Sequence, residues 1–519
     1  MEKNVRIPNE VTDILLRLER AGFEAYAVGG CVRDLLLGRA PNDWDVTTNA
    51  KPEDIQKIFS DTFYANQFLT VTVKTGSADD TLAEVEVTTY RAEGQYTDSR
   101  HPDEVRFANT LQEDLSRRDF TMNAIALGGV DEDHALIDPF DGRGDIEKKV
   151  IRAVGEAEER FEEDALRMLR AVRLACQLDF AIEKGTHAAL KKNADAISRI
   201  SEERIRDEFI KIVSAPRAKD GVELLREAGL LKHMVPELED GYGIGQNKHH
   251  IYTVWEHNLR ALEYAASQRY EPIIRIAALF HDIAKPHTKQ GDGPNSTFYG
   301  HDVVGAKMSY DILTRLRFPR QDAGKVSKLV RWHLFNYKLR KDVEAEIRRE
   351  LGEKVDERDP EEKGEDDVYT TDASIRRLIR NVGEENISDL VKVRICDRIG
   401  SGVPKAVPYR LRHFQYRVEK ILREHEAVRV SMLAIGGEDL KNLLGIAPGP
   451  RIGHLLAALL EEVLDDPARN TKEYLFSRAK ELHAFSDAEL LQLHQKAEER
   501  VDTLEGTRDA EIRNKYWVK

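Results

Sequence analysis

In "YAVGGCVRDLLLGRAPNDWDV" a double glycine, Gly29 and Gly30, and an arginine, Arg33, precede two aspartates one residue apart, Asp43 and Asp45. In an extended "NDWDV" the two carboxylates share one face while Trp44 and Val46 take the other. Neighbouring ionised carboxylates repel unless a cation lies between them. Magnesium, which prefers oxygen ligands and bridges to substrate phosphates, suits that position. Carboxylates so placed can hold two ions, one activating an attacking hydroxyl and one stabilising a triphosphate leaving group. A third carboxylate is then expected from a neighbouring strand, and "AEVEV" offers Glu84 and Glu86 on one face, of which Glu86 is preferred. Without Cβ atoms, Gly29 and Gly30 let backbone N–H groups approach a phosphate at a helix N-terminus, where Arg33 adds charge. A double glycine alone is more often an ordinary turn, and an isolated DxD more often a surface pair. The combination carries the specificity.

A second set lies downstream. "YTVWEHNLRALEYA", "ALFHDIAKP", "FYGHDVVGAKMSYDIL", "LVRWHLFNY" and "VKVRICDRIG" supply His257, His281, Asp282, His301, His333 and Asp397, each in or beside a helix-like segment. One histidine on an apolar face is usually a satisfied core residue. Several punctuating successive helices, with an adjacent His-Asp pair, suit a transition metal such as manganese, nickel, cobalt or iron held in a helical bundle to activate water against a phosphate ester.

The elements that must position these groups are legible in outline. Apolar residues at helical spacing over 10–22 lead into a short strand ending at the glycines, and "LTVTVKTG" and "LAEVEVTTYR" alternate as paired antiparallel strands. After about residue 150 the pattern is helical. The expected fold class is α+β: a head of mixed sheet with helices over 1–150, a helical neck over 151–240, a helical metal-binding region over 241–400 and a C-terminal helical region over 401–519. An acidic stretch near 350–370 reads as a solvated insertion. At 519 residues roughly three or four domains are expected. The net charge of −14 argues against diffuse nucleic-acid binding but leaves room for a local basic face. Three separated cysteines, Cys31, Cys176 and Cys396, read as buried apolar residues rather than a disulfide framework. No apolar run approaches the ~18 residues of a membrane span, and the N-terminus has no signal-peptide pattern, so a cytoplasmic location without membrane association is expected.

"GGCVRDLLLGRAPNDWDVTTNA" resembles the signature of the class II tRNA nucleotidyltransferase and bacterial poly(A) polymerase family, among the polymerase-beta-like nucleotidyltransferases. "EVTTYRAEGQYTDSRHPDEVRF", "RRDFTMNAIA", "DPFDGRGDIEKKVIRAVG" and "FEEDALRMLRAVRLACQLDF" follow in that family's order. The order of histidines and aspartates downstream is similar to the HD phosphohydrolase superfamily, in particular to the HD domain fused to some bacterial members. "GGEDLKNLLGIAPGPRIGHLLAALLEEVLDDPARNTKEYL" resembles their C-terminal helices.

The resemblance implies addition of C, C and A to the 3′ end of tRNA from CTP and ATP, on magnesium held by Asp43 and Asp45 with Glu86 as third carboxylate. It implies that Arg118, Asp119 and Asn123 contact ribose and triphosphate, with Asp119 also orienting Arg167. Asp164 and Arg167, three apart on one expected helix, would read the base; otherwise they are an intrahelical ion pair. A carboxylate beside a guanidinium matches the amine and ring nitrogen that cytosine and adenine share, and opposes uracil and guanine. Arg91, Tyr96, Asp98 and Arg100 fall in the family's flexible loop, thought to switch the pocket from C to A. The six HD residues would hold a transition metal, with Asp372 as the alternative to Asp397, in either an active phosphohydrolase or a retained scaffold for tRNA. Arg204, Arg206, Lys211, Arg217, Lys219 and the terminal "IRNKYWVK" are candidates for phosphate contacts. Within the family the alternatives are a poly(A) polymerase or a CC-only or A-only enzyme; outside it, an HD phosphohydrolase with an RNA-binding N-terminal domain. A monomer and a homodimer are both compatible with the sequence.

Overall fold

The computed structural model describes residues 6–65, 70–93, 105–128, 135–247, 251–339, 369–402, 407–426 and 433–518. Tyr96, Asp98, Arg100 and nearly all of the acidic stretch therefore lie outside the described residues. By its internal contacts the chain divides into two units, Met1–His333 with Lys392–Pro404, and Leu334–Val391 with Lys405–Lys519.

The first unit begins with helix Asn9–Arg20, which buries Val11, Ile14, Leu15 and Leu18 as the spacing requires. The strands that follow are β1 (Ala25–Val28), β2 (Asp45–Thr48), β3 (Thr62–Ala65), β4 (Thr70–Lys74), β5 (Glu84–Thr89), β6 (Arg91–Glu93), β7 (Val105–Phe107), β8 (Ala126–Gly128) and β9 (Ala135–Ile137). Seven of them form one sheet in the order β3-β4-β5-β2-β1-β8-β9, and β6 and β7 form a separate ribbon. The expected hairpin is present: β4 and β5 are antiparallel with Val71 opposite Val87 and Val73 opposite Val85. Alternation buries these valines and leaves Glu84 and Glu86 exposed. The parallel pairing of β2 with β5 sets Asp45 opposite Glu86. That single register places the site.

Beyond residue 150 the unit is helical, apart from a two-residue parallel pairing of Val150–Ile151 with Ala181–Ile182. The neck helices include Ala157–Glu163, Leu166–Leu178, Glu202–Ser214 and Ala218–Glu227. Next come Val254–Ser267, Pro272–Phe280, His301–Arg315 and Arg320–Trp332, joined by the part of helix Glu384–Gly400 that starts at Lys392. The second unit is helical, with one apolar cluster around Leu440, Leu455, Leu459 and Leu475 and another around Leu339, Tyr409, Tyr416 and Ile512. Gly445, in a left-handed conformation, ends helix Gly437–Leu444, and Pro450 starts helix Pro450–Asp465. All three cysteines are free and buried. Among the described residues no helix is long and apolar enough to cross a membrane.

Candidate nucleotidyl-transfer and metal sites

Strand β2 starts at Asp45, with Asp43 exposed just before it and Trp44 and Val46 buried, so the alternation read from "NDWDV" holds although the strand is shorter. Glu86, not Glu84, is Asp45's register partner. Burial pushes the Asp45 carboxyl up to about 6; nearby Arg118 opposes that rise, while Asp43 and Glu86 add to it. Three acids with so little compensation are a place for a divalent cation. Gly29 has φ 88°, and a Cβ there would lie 2.9 Å from Arg118 Nη1 and 3.3 Å from Asp45 Oδ2. At that φ, and with so little room for a Cβ, the position suits glycine alone. Gly30 opens helix Gly30–Leu36, and Arg33 on that helix donates through Nη1 to Asn123 Oδ1 at 2.9 Å and through Nε to Asp34 at 2.9 Å.

A polar chain runs from there towards the neck. Asn123 Nδ2 donates to Asp119 Oδ1 at 3.0 Å, and Asp119 Oδ2 accepts from Arg170 Nε at 2.8 Å and Nη2 at 2.5 Å. Burial would raise the Asp119 carboxyl, but Arg170 and Asn123 hold it well below the carboxylate range. The residue Asp119 orients is thus Arg170 rather than Arg167. Arg167 instead donates to Glu163 at 2.9 Å and to the Arg117 carbonyl at 3.0 Å. Asp164 is not on a shared helix: its backbone is extended (φ −139°, ψ 102°) between helices Ala157–Glu163 and Leu166–Leu178. Its Oδ1 accepts from Leu166 N at 3.0 Å, so the acid caps the second helix and interrupts the expected one.

The sequence reading missed Glu163, Arg170 and Asp114. Arg167, Arg170 and Arg173 recur every third residue on helix Leu166–Leu178, and each has a carboxylate partner: Glu163, Asp119 and, at 2.7 Å, Glu208. That spacing was the available signal. Asp114, fully buried, accepts from Thr47 Oγ1 at 3.0 Å and Arg117 Nε at 3.0 Å. Arg91 N lies 3.4 Å from Asp114 Oδ1, the oxygen that Arg117 also reaches, so Asp114 ties β6 to the strand bearing Asp45.

The expected basic face is internally paired. Arg204 binds Asp164 at 2.8 Å, Arg206 Asp207 at 2.7 Å, Lys211 Glu208 at 3.2 Å, Arg217 Asp220 at 2.6 Å and Lys219 Glu263 at 3.2 Å. In the second unit Arg513 and Lys515 likewise pair with Asp509 and Glu419. RNA phosphates bound by these candidates would exchange with the carboxylates, which at a solvated surface hold them only weakly.

The second constellation converges completely. His257, His281, Asp282 and Asp397 form one cluster of convergent ligand atoms, and Asp282, His301 and His333 form another. His257 Nε2 lies 2.7 Å from His281 Nε2, 3.1 Å from Asp282 Oδ2 and 3.3 Å from Asp397 Oδ1. Asp282 Oδ1 faces His301 Nε2 at 3.3 Å and His333 Nε2 at 3.6 Å. Asp282 thus offers one oxygen to each cluster. Asp372 is elsewhere, paired with Arg417 at 2.6 Å, which decides for Asp397.

Helix ends build this site. A capping box of Thr253 and Glu256 starts the helix carrying His257, while His281 and His333 are the C-caps of their helices. Their Nδ1 atoms hydrogen-bond to the carbonyls three residues back, Ala278 at 2.7 Å and Val330 at 2.6 Å, among the carbonyls a helix end leaves unpaired. His301 does the same to Phe298 at 2.6 Å. With Nδ1 so engaged, Nε2 is turned to the cluster, the second-sphere arrangement of metal-binding imidazoles. Burial would lower the His281 ring, yet Asp282 and Asp397 raise it to about 10. His333 is lowered by burial. The buried Nε2 atoms of His301 and His333 have no hydrogen-bond partner, which fits a divalent ion bound by nitrogen and oxygen donors. Two groups not read from the sequence complete the shell: Lys285 Nζ at 2.6 Å from Asp282 Oδ2, and Arg394 Nη1 at 2.5 Å from Asp397 Oδ2.

Four domain models match in order: the poly A polymerase head domain over 25–152, a probable RNA and SrmB-binding site of polymerase A over 179–241, an HD domain over 254–398 and a putative tRNA nucleotidyltransferase domain 2 over 405–479. A CCA-adding enzyme of Lactobacillus delbrueckii subsp. bulgaricus is 46% identical over 231 residues, 44% of this chain and 56% of that protein. The chain thus spans about half the length of the curated relatives it matches. The crystal structure of the Bacillus stearothermophilus CCA-adding enzyme in complex with CTP is similar with TM-score 0.53 at 28% identity, covering 92% of this chain and 97% of that one. The Thermotoga maritima CCA-adding enzyme complexed with tRNA shares the fold, with TM-score 0.51 at 19% identity and coverage of 92% and 97%. The carboxylate-bearing mixed sheet, the helical neck and the His/Asp bundle are the parts that the poly A polymerase head, RNA-binding and HD models match. The chain belongs to the class II tRNA nucleotidyltransferase and bacterial poly(A) polymerase family.

Proposed function

We propose that the protein adds C, C and A to the 3′ end of tRNA from CTP and ATP. The observation that carries this is the register of Asp45 against Glu86 beneath the Gly29 turn, with Asp43 alongside. Magnesium bound there would activate the RNA 3′ hydroxyl and stabilise the departing pyrophosphate. Asp43 and Asp45 hold the cation, with Glu86 beside them. The Gly29–Gly30 turn and Arg33 accept the triphosphate, and Arg118, Asp119 and Asn123 position triphosphate and ribose. Asp164 and Arg167 select cytosine and adenine, Arg167 aimed by Glu163 and the Arg117 carbonyl. Arg91, beside the loop that follows it, belongs to the switch from C to A.

The test offers tRNA ending before, after one or after two cytidines with labelled CTP or ATP separately. Ordered addition of C, C and A is expected. Long homopolymeric A tails would indicate a poly(A) polymerase, and failure to add the last A a CC-adding enzyme.

A second activity rests on its own observation, the two ligand groups from six residues that share Asp282: a metal-dependent phosphohydrolase acting on phosphate esters, with manganese, nickel, cobalt or iron as the ion. If Asp43→Ala abolishes incorporation and spares phosphatase activity, the two sites are separate enzymes on one chain. Loss of both together would refute that separation.

A further inference from the structure

The head buries one acid that no step of the reaction above uses. Asp114 lies on helix Leu111–Ser116 with its side chain 0% exposed. Its partners come from β2, from β6 and from the two arginines that follow its own helix. Oδ2 accepts from Thr47 Oγ1 at 3.0 Å and faces Arg118 Nη2 at 3.8 Å. Oδ1 accepts from Arg117 Nε at 3.0 Å and lies 3.4 Å from Arg91 N. Thr47 is two residues beyond Asp45 on β2, so strand parity points both to one face. Burial would raise the Asp114 carboxyl, but Arg117 and Arg118 hold it below the ordinary value, so it is a fixed negative charge on the Asp45 side of the sheet.

Arg118 stands between two acids. Among the described residues its guanidinium pairs with Asp114 alone, through Nη2. Nη1 approaches the Gly29 turn, where a Cβ would lie 2.9 Å from it and 3.3 Å from Asp45 Oδ2. No side chain at Gly29 therefore separates this guanidinium from the Asp45 carboxylate. Asp45 already feels the charge of Arg118, although among the described residues no ion pair joins them. An arginine lying on Asp45 would occupy the oxygens that a cation takes there and would turn away from a triphosphate. Asp114 is the charge that competes for it.

Resting on the nucleotidyl-transfer reading above, we infer that Asp114 is a positioning residue of that reaction: it holds Arg118 off Asp45, which keeps Asp45 open to magnesium and the guanidinium available to the triphosphate. Arg117, paired with the same carboxylate, limits how strongly Asp114 draws Arg118.

The experiment uses the full chain and reads magnesium binding by calorimetry, then incorporation of CTP onto tRNA that ends before the first C, with magnesium varied. Asp114→Asn keeps the shape of the site: the amide oxygen still accepts from Arg117 and the amide nitrogen donates to the Thr47 hydroxyl, so only the charge is lost. Arg118 should then fall onto Asp45, weakening magnesium about ten-fold and raising KM for CTP by a similar factor. The loss in kcat once both are saturating should be smaller. A purely structural acid would lower kcat and leave magnesium affinity and KM unchanged, and that result overturns the assignment. In an Arg118→Ala background the same Asp114→Asn change should leave magnesium affinity where it was, whereas a full loss there would show that Asp114 does not act through Arg118. Arg117→Ala leaves Asp114 to Arg118 alone and should tighten magnesium by a few-fold. It serves as the test if Asp114→Asn does not fold, and unchanged or weaker magnesium binding in it overturns the proposal. A parent protein that binds magnesium and incorporates no nucleotide would instead overturn the nucleotidyl-transfer reading, with the magnesium comparisons still deciding the role of Asp114.

Discussion

In the head, Asp45 sits beside Asp43 and Glu86 with Arg118 as its main compensation, and its carboxyl is pushed up to about 6. In the HD bundle, Asp282 and Asp397 are far more buried, yet each is met by a cation, Lys285 at 2.6 Å and Arg394 at 2.5 Å, and both are held well below the carboxylate range. The head is short of positive charge until a cation comes. The HD shell is charge-balanced beforehand. A half-exposed site can keep unbalanced carboxylates that a cation would complete, whereas a buried shell must be neutralised to fold at all.

The comparison breaks first on catalysis. Asp45→Ala should lower incorporation of CTP and ATP roughly a thousand-fold, the several kcal/mol that a metal supplies to a developing charge. Phosphatase activity should be unaffected. Asp282→Asn should do the reverse, and loss of both activities in either variant would show that the sites are not independent.

It breaks next on stability, where the two substitutions should have opposite signs. Asp282→Asn leaves Lys285 buried without its counter-charge and should cost about 3–5 kcal/mol, seen as an earlier thermal transition. Asp45→Asn relieves crowded carboxylates and should raise the melting temperature of the metal-free protein by a few degrees, about what 1 kcal/mol yields. A destabilised Asp45→Asn would mean that Arg118 depends on this carboxylate more than the acids repel it.

Specificity gives a smaller effect. Asp164→Ala should relax discrimination against UTP by about ten- to a hundred-fold, in line with 1–3 kcal/mol for a good paired base contact. Unchanged discrimination would leave Asp164 as no more than the helix cap it forms with Leu166 N.

What was legible in the sequence follows the same division. Period-two alternation disclosed β4 and β5, and with them which face carries Glu86, because side-chain direction in a strand is fixed by parity. The HD ligands were legible as residue types at helix ends. The break at Asp164 was not: aspartate three before arginine scores alike on a continuous helix and at a cap, and the choice lies with Arg204, which is 40 residues away and holds the free carboxylate oxygen. Arg170, Lys285 and Arg394 were missed for a related reason. Each acts through a partner distant in sequence or hidden inside a common i,i+3 pair, and spacing alone does not distinguish such a pair from a solvated one.

The smallest effect sharpens the contrast by pH. With its folded-state value raised from 3.8 to about 6, Asp45 holds a proton more tightly folded than unfolded. Metal-free stability therefore falls as pH rises through that window, and the cost is fully present above about 6. A cation reverses it, so below about 6 magnesium must displace a proton before it binds, and its apparent affinity should fall by up to about ten-fold per pH unit. Magnesium isolates the head, because an imidazole-rich shell is a poor site for it. At pH 5 it should stabilise the protein by about 1.4 kcal/mol less than at pH 7, close to 3 °C of melting temperature. Calorimetry in two buffers of different ionisation enthalpy at pH 5.5 should register proton release that Asp45→Asn abolishes. A magnesium shift independent of pH would mean that Asp45 is already ionised in the metal-free head, and the electrostatic difference between the two sites would lose its basis.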